Sequence, residues 1–215
     1  MWFCIGVCCV AFSACTSEKA EFDGPGGDGC LQLTFSRVAT RADVAQDGSG
    51  DFVEGDRIGL YIDNGADVSY RQLTLTGGQW LPLLKRSEFG SGRLNLSAWY
   101  AGGSELSTGQ TEGVPFRIAS DQSGEGHAAS DLLFSRLTLE EGVYRGDFTF
   151  AHALHRVTVV LSGNTDGAGI AVRSKLDGTL DLLSGEARVS DGDFGWIEPR
   201  RNADGSFEAI IFPQP

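Results

Sequence analysis

Usable cysteine is almost missing from this chain. Five cysteines occur, but Cys4, Cys8 and Cys9 lie inside an apolar leader and Cys15 ends it. That leaves Cys30 without a partner, which excludes a disulfide framework and a thiolate zinc site. Cys30 itself reads as a packed or mobile thiol rather than a reactive nucleophile. Methionine occurs once, at Met1. Positive charge is scarce: Lys and Arg number 17 against 29 Asp and Glu, for a net charge of −12. Such a chain repels phosphate backbones, so nucleic-acid partners are excluded. No stretch sustains an apolar period of 3.6, so helices are expected to be few and short. The motifs of serine hydrolases, P-loop enzymes and zinc proteases are missing too. The chain is therefore expected not to be an enzyme and to need no cofactor or metal.

What is present begins with the leader. Residues 1–14 carry no charge, and their apolar core is too short for the roughly 20 residues that span a bilayer. The leader closes on Ser13-Ala14-Cys15, after which the chain turns polar at Thr16, Ser17, Glu18 and Lys19. This pattern resembles a bacterial lipobox. It predicts cleavage between Ala14 and Cys15 and a diacylglyceryl group on the Cys15 thiol. Phe12 departs from the usual aliphatic residue, and no Lys or Arg precedes Lys19, which leaves the true start codon open. An ordinary secretory signal with Cys15 incidental is the alternative. Residues 15–30 are dominated by Gly, Asp and Pro and read as a flexible tether.

From Leu31 the apolar period becomes two. Leu31, Leu33 and Phe35 alternate with polar residues, as do Ile58, Leu60 and Ile62. Leu73 and Leu75 lead into Thr76-Gly77-Gly78-Gln79 and then Trp80, which predicts a hairpin. Pro82 cannot donate to a ladder, so that second arm is expected at an edge. Leu94, Leu96, Ala98 and Tyr100 face one way, with Ser97 and Trp99 opposite. Residues 101–126 read as a polar surface excursion, interrupted only by Val114-Pro115-Phe116-Arg117-Ile118. In residues 148–161 the alternation slips by one between Leu154 and Val157, which predicts a bulge or bend near His155. Weaker strands follow at residues 170–173, 187–189 and 207–212. Short strands with turns between them predict an all-β sandwich rather than a βαβ fold. The expected division is a β-sandwich domain over residues 31–163 and a second β domain from 164 to 215, incomplete at its C-terminal end.

Candidate sites are few. His152 and His155 would point to opposite faces of a strand, so neither is expected to chelate a metal, and His152 shares its phase with Phe150 and Leu154 as a buried, satisfied residue would. Asp47-Gly48-Ser49-Gly50-Asp51 only faintly resembles a calcium loop, because Phe52 stands where glycine is needed. Trp80, Trp99, Tyr100 and Trp196 could stack on sugars, although packing is the commoner fate of such rings.

Several stretches taken in order resemble the fimbrillin-like (Mfa-like) family of Gram-negative anaerobes. They are the lipobox cysteine, Val38-Ala39-Thr40-Arg41, the run from Phe52 through Glu54-Gly55-Asp56-Arg57 to Ile62, and Trp80. After them come Leu96-Ser97-Ala98-Trp99-Tyr100, Ser130-Asp131-Leu132-Leu133, the run from Phe150 to Val157, and Ile211-Phe212-Pro213-Gln214. The resemblance implies two transthyretin-like β-sandwich domains. It also implies a pilus subunit carried as a lipoprotein to the outer membrane and exposed at the surface as part of a fimbrium. Its partners would be other pilus subunits, joined by strand exchange, and the outer membrane, reached through the lipid; host or bacterial surface ligands are further partners to consider. An arginine-specific protease cuts better-known members after the first strand. Here Arg41 would be the processing site and Arg37 the second choice, with Leu31, Leu33 and Phe35 as the core residues of the departing strand. The donor strand in such pilins usually comes from the carboxyl terminus, so a chain stopping at Pro215 would be a truncated product or a minor subunit; a stalk, tip or anchor role is open. A carbohydrate-binding lipoprotein of a glycan-uptake system is the alternative function.

Overall fold

The computed structural model describes residues 29–37, 52–102, 106, 109–163, 167 and 169–214. Cys15, Ala14 and Arg41 lie outside them, as do Asp47 to Asp51. The chain is all-β, as its alternation predicts. Its largest sheet has seven strands: β1 (Gln32–Arg37), β2 (Arg57–Asp63), β3 (Val68–Thr76), β4 (Gln79–Leu81), β5 (Leu94–Tyr100), β7 (Leu133–Leu139) and β8 (Arg145–His152). Their order is β1-β8-β7-β5-β2-β3-β4. Every pairing is antiparallel except that of β1 with β8, which run parallel. The β3–β4 turn uses Gly77 and Gly78 at φ 58° and 76°, the left-handed pair that a two-residue hairpin needs. β4 is short, ends just before Pro82, and forms the outer edge, as expected.

The central strands bury both faces. In β2, Ile58, Leu60 and Ile62 enter one core and Tyr61 enters another; in β5, Leu94, Leu96 and Ala98 oppose Trp99 in the same way. The first core is wrapped by the seven-stranded sheet itself. β1 and β4 stand at opposite ends of the strand order, yet the rings of Phe35 and Trp80 meet at 5.2 Å. The sheet therefore curls until its two edges approach. The Leu31 N–H donates to the Leu84 carbonyl at 2.7 Å across that seam.

The second core lies on the outer face of β2 and β5 and is covered by short strands. These are β6 (Val114–Arg117), β11 (Asp177–Leu180) and β12 (Ala187–Val189) in one sheet. A second sheet holds β9 (His155–Val159), β14 (Arg200–Arg201) and β15 (Phe207–Ile211), and a ribbon pairs β10 (Val172–Lys175) with β13 (Phe194–Ile197). The described helix is one short piece, α1 (Glu125–Ser130), beside a 3-10 turn at Arg86–Phe89.

One expectation changes here and another is met. Among the described residues of 101–126 the chain is not all surface excursion: the apolar interruption is a strand, β6, paired with β11, and Val114 and Ile118 are buried. Gln122 is fully buried, and its side-chain amide both donates to and accepts from the Ile210 backbone, at 2.9 and 2.7 Å. The polar composition misled because one buried amide there replaces a ladder pairing. The slip near His155 is a bend, at Ala153 and Leu154, and it marks a change of sheet: β8 ends at His152 and β9 pairs with β15. The β6–β11 and β9–β15 pairings both cross the expected division after residue 163.

Candidate functional site

β1 occupies a groove between the backbone of β8 and the segment that follows β4. Its six residues pair with β8 from Gln32 against Arg145 to Arg37 against Phe150. Two further bonds hold its amino end, Gln32 N–H to the Tyr144 carbonyl at 2.7 Å and Arg86 N–H to the Gly29 carbonyl at 2.9 Å. On the exposed face Thr34 Oγ1 donates to Asp147, and Ser36 Oγ donates to the Phe148 carbonyl at 3.2 Å.

The inward face carries Leu31, Leu33, Phe35 and Arg37, alternate residues of one extended strand. Leu31 is buried, and Leu33 and Phe35 are half-buried against the first core. The Phe35 ring stacks on Phe148 with centroids 4.9 Å apart and meets Trp80 edge-on. Arg37 ends this row in an unusual place for a charge. Its guanidinium lies 4.5 Å from the centroids of both Phe52 and Tyr100, and it stands 3.6 Å from Asp56. The Tyr100 hydroxyl donates to the same carboxylate at 3.0 Å. Burial, then the Asp56 charge, pushes the Tyr100 phenol above its ordinary value.

This geometry separates the two processing candidates. A protease must draw the arginine side chain into its own pocket. Arg37 is clamped between two rings and paired with a carboxylate, within a strand, so any cleavage there would need β1 to leave first. Arg41 lies outside the described residues. Neither Phe52 nor Asp56 was singled out as a clamp from sequence, because their contact with Arg37 is tertiary.

A second polar site is buried around Glu208 of β15. Its Oε1 lies 2.7 Å from Arg156 Nη2, 2.9 Å from Arg200 Nη2 and 2.9 Å from His127 Nε2. Burial alone would raise this carboxyl. The contact from His127, the hydrogen bond and charge of Arg156 and the charge of Arg200 outweigh burial and bring it down to about 2. A carboxyl so low stays ionised and cannot serve as a general acid near neutral pH. Its role is to tie α1, β9 and β14 to β15. The buried histidine of this chain is thus His127, not His152 as the alternation suggested. His152 is part-exposed at the end of β8, and its Nδ1 lies 2.6 Å from Asp131 Oδ1. The sequence signal for Glu208 was available: it is an acidic residue inside the apolar run Phe207 to Phe212.

The four aromatic candidates divide. Trp99 is buried and donates its indole N–H to the Leu182 carbonyl at 2.8 Å. Trp80 and Tyr100 belong to the aromatic lining around β1. Trp196 alone stands out in solvent, 64% exposed. Cys30 is a buried free thiol.

Comparison with known proteins agrees with this architecture. No curated protein matches the chain significantly. Among solved structures, a proposed cell adhesion protein from Bacteroides ovatus is similar over 86% of this chain and 77% of its own, with a TM-score of 0.57 and 19% identity. A proposed cell adhesion protein from Bacteroides uniformis covers 87% of this chain and 75% of its own, with a TM-score of 0.56 and 18% identity. One from Bacteroides thetaiotaomicron covers 86% and 76%, with a TM-score of 0.56 and 15% identity. At these identities the likeness is one of fold. A family model described as fimbrillin-like matches residues 40–215, and the chain belongs to that family.

Proposed function

We propose that this member of the fimbrillin-like family is a fimbrial subunit or a closely related adhesin lipoprotein, assembled by exchange of its first strand. The observation that carries the reading is the position of β1. It is an edge strand, paired along one side to β8, and its inner row is part of the first core. Its departure would expose the β8 ladder and the rings of Phe148, Phe150 and Trp80 together. Three inner apolar side chains contribute on the order of 5 kcal/mol by burial, comparable with a domain's whole stability of about 5–15 kcal/mol. An emptied groove of that kind is filled by the next available strand. Lipid attachment at Cys15 after cleavage at Ala14 would carry the chain to the outer membrane. A cut at Arg41 would then release lipid, tether and β1 together.

The test is digestion of the purified mature protein with an arginine-specific protease. The expected product begins at Ala42, loses residues 15–41, and forms oligomers that a synthetic peptide of residues 29–37 suppresses. A product that is cut at Arg41, stays monomeric and takes up no labelled peptide would overturn strand exchange. Mass spectrometry of the uncut protein reads the lipid on Cys15 directly. The exposed aromatic row of β13 favours a second, compatible role in carbohydrate binding.

A further inference from the structure

The β10–β13 ribbon presents two unlike faces. Its inner face is packed: Ile197 and Ser174 are buried, and a Cβ on Gly195 would come within 2.6 Å of Leu176. Its outer face carries Phe194 and Trp196 on β13, 50% and 64% exposed. Directly across the ladder stand two cations on β10, Arg173 opposite Trp196 and Lys175 opposite Phe194. The Arg173 guanidinium lies 4.9 Å from the Phe194 ring centroid, which holds it over the sheet. Lys175 Nζ is already in use, donating to the Ser190 carbonyl at 3.3 Å. Arg173 has no carboxylate partner among the described residues, in a chain whose net charge is −12.

We propose that Trp196 and Arg173 form a subsite for an acidic glycan, taking one carboxylated sugar ring. The apolar face of the ring stacks on the open indole, and the sugar carboxylate pairs with the guanidinium. The geometry suits both contacts, because Phe194 and Trp196 share one face two residues apart, about 7 Å, so a ring on the indole lies within reach of the guanidinium held over Phe194. Charge complementarity selects an anion, since neither cation has a carboxylate partner among the described residues, in a chain of net charge −12. Size selects a sugar over a protein. A stable protein interface needs about 800 Å² per partner, whereas one exposed Trp and one Phe offer at most about 150–250 Å² each. The proposal rests on the carbohydrate-binding reading and is independent of strand exchange, since the ribbon packs on the second core and β1 on the first.

The test uses the full mature chain and calorimetric or fluorescence titration with oligogalacturonate, alginate and hyaluronan oligosaccharides. Methyl-esterified oligogalacturonate and polyglutamate are the controls. At least one acidic glycan is expected to bind and its neutral form to bind at least tenfold more weakly. Trp196→Ala should weaken binding at least tenfold, and Arg173→Gln should bring the acidic form down to the level of its ester. Both side chains are exposed, so thermal midpoints and protease-triggered oligomers should match those of the unaltered protein. Four results would each overturn the proposal: no acidic glycan binds, the ester binds as tightly as the acid, polyglutamate competes equally, or Trp196→Ala binds normally.

Discussion

Replacing Glu208 by glutamine removes one charge from a position where three side chains converge. The Glu208 side chain is 6% exposed, that of Arg156 17% and that of His127 5%. Glutamine keeps the size and one acceptor but takes the Glu208 charge away from two guanidinium groups. Breaking a buried ion pair by removing one partner costs about 3–5 kcal/mol. The pH dependence gives an independent magnitude. The folded carboxyl sits at about 2 against an ordinary 4.5, so its value is depressed on folding. Its contribution is therefore full above pH 4.5 and is lost as pH falls towards 2. Linkage puts the full contribution on the order of 3 kcal/mol and the part lost between pH 6 and 3.5 at about 1 kcal/mol. Urea unfolding of the native protein and of Glu208→Gln at pH 6, 5 and 3.5 measures both. The variant should be less stable by several kcal/mol at pH 6, and the gap should narrow by about 1 kcal/mol at pH 3.5. A gap below about 1 kcal/mol at pH 6, or one that stays constant with pH, would refute the account of Glu208 as a buried clamp.

Three further perturbations address the packing. Phe35→Ala removes a ring stacked on Phe148 and should cost about 2–3 kcal/mol, with faster hydrogen exchange confined to β1 and its β8 partners. Gly185→Ala should cost more than about 2 kcal/mol, because Gly185 sits at φ +83° and a Cβ there would meet the Phe134 ring at 2.2 Å. Displacing Phe134 also disturbs Trp99, whose ring centroid is 4.8 Å away, so the near-ultraviolet circular dichroism should change with it. Trp99→Phe leaves the Leu182 carbonyl without its indole donor and should cost about 1–3 kcal/mol in chemical denaturation.

Much of the first core was legible as alternation. The phases of β1, β2 and β5 came through because each strand has a run of apolar residues two apart, and the β3–β4 hairpin came through because Gly77-Gly78 admits few other conformations. Strands β11, β13 and β14 did not, and β6 read as an interruption of a loop. They are two to four residues long and carry glycine, proline or charge, so period two cannot develop. The exposed Trp196 and the buried Trp99 were indistinguishable in sequence, since each is an aromatic residue in a short apolar context. What separated them is whether a second layer covers that face.

The residues by themselves determined an acidic, β-rich, cysteine-poor chain behind a lipobox-like leader, with a first strand whose inner row is Leu31, Leu33 and Phe35. They did so because composition and period two are local properties. Only the tertiary structure decided that this strand lies parallel to β8 at an edge, that Phe52 and Tyr100 clamp Arg37, and that Glu208 gathers its three partners. The reason is distance along the chain: Thr34 bonds to a residue 113 positions away. Alternation states which side chains face inward, but not which strand they will meet there.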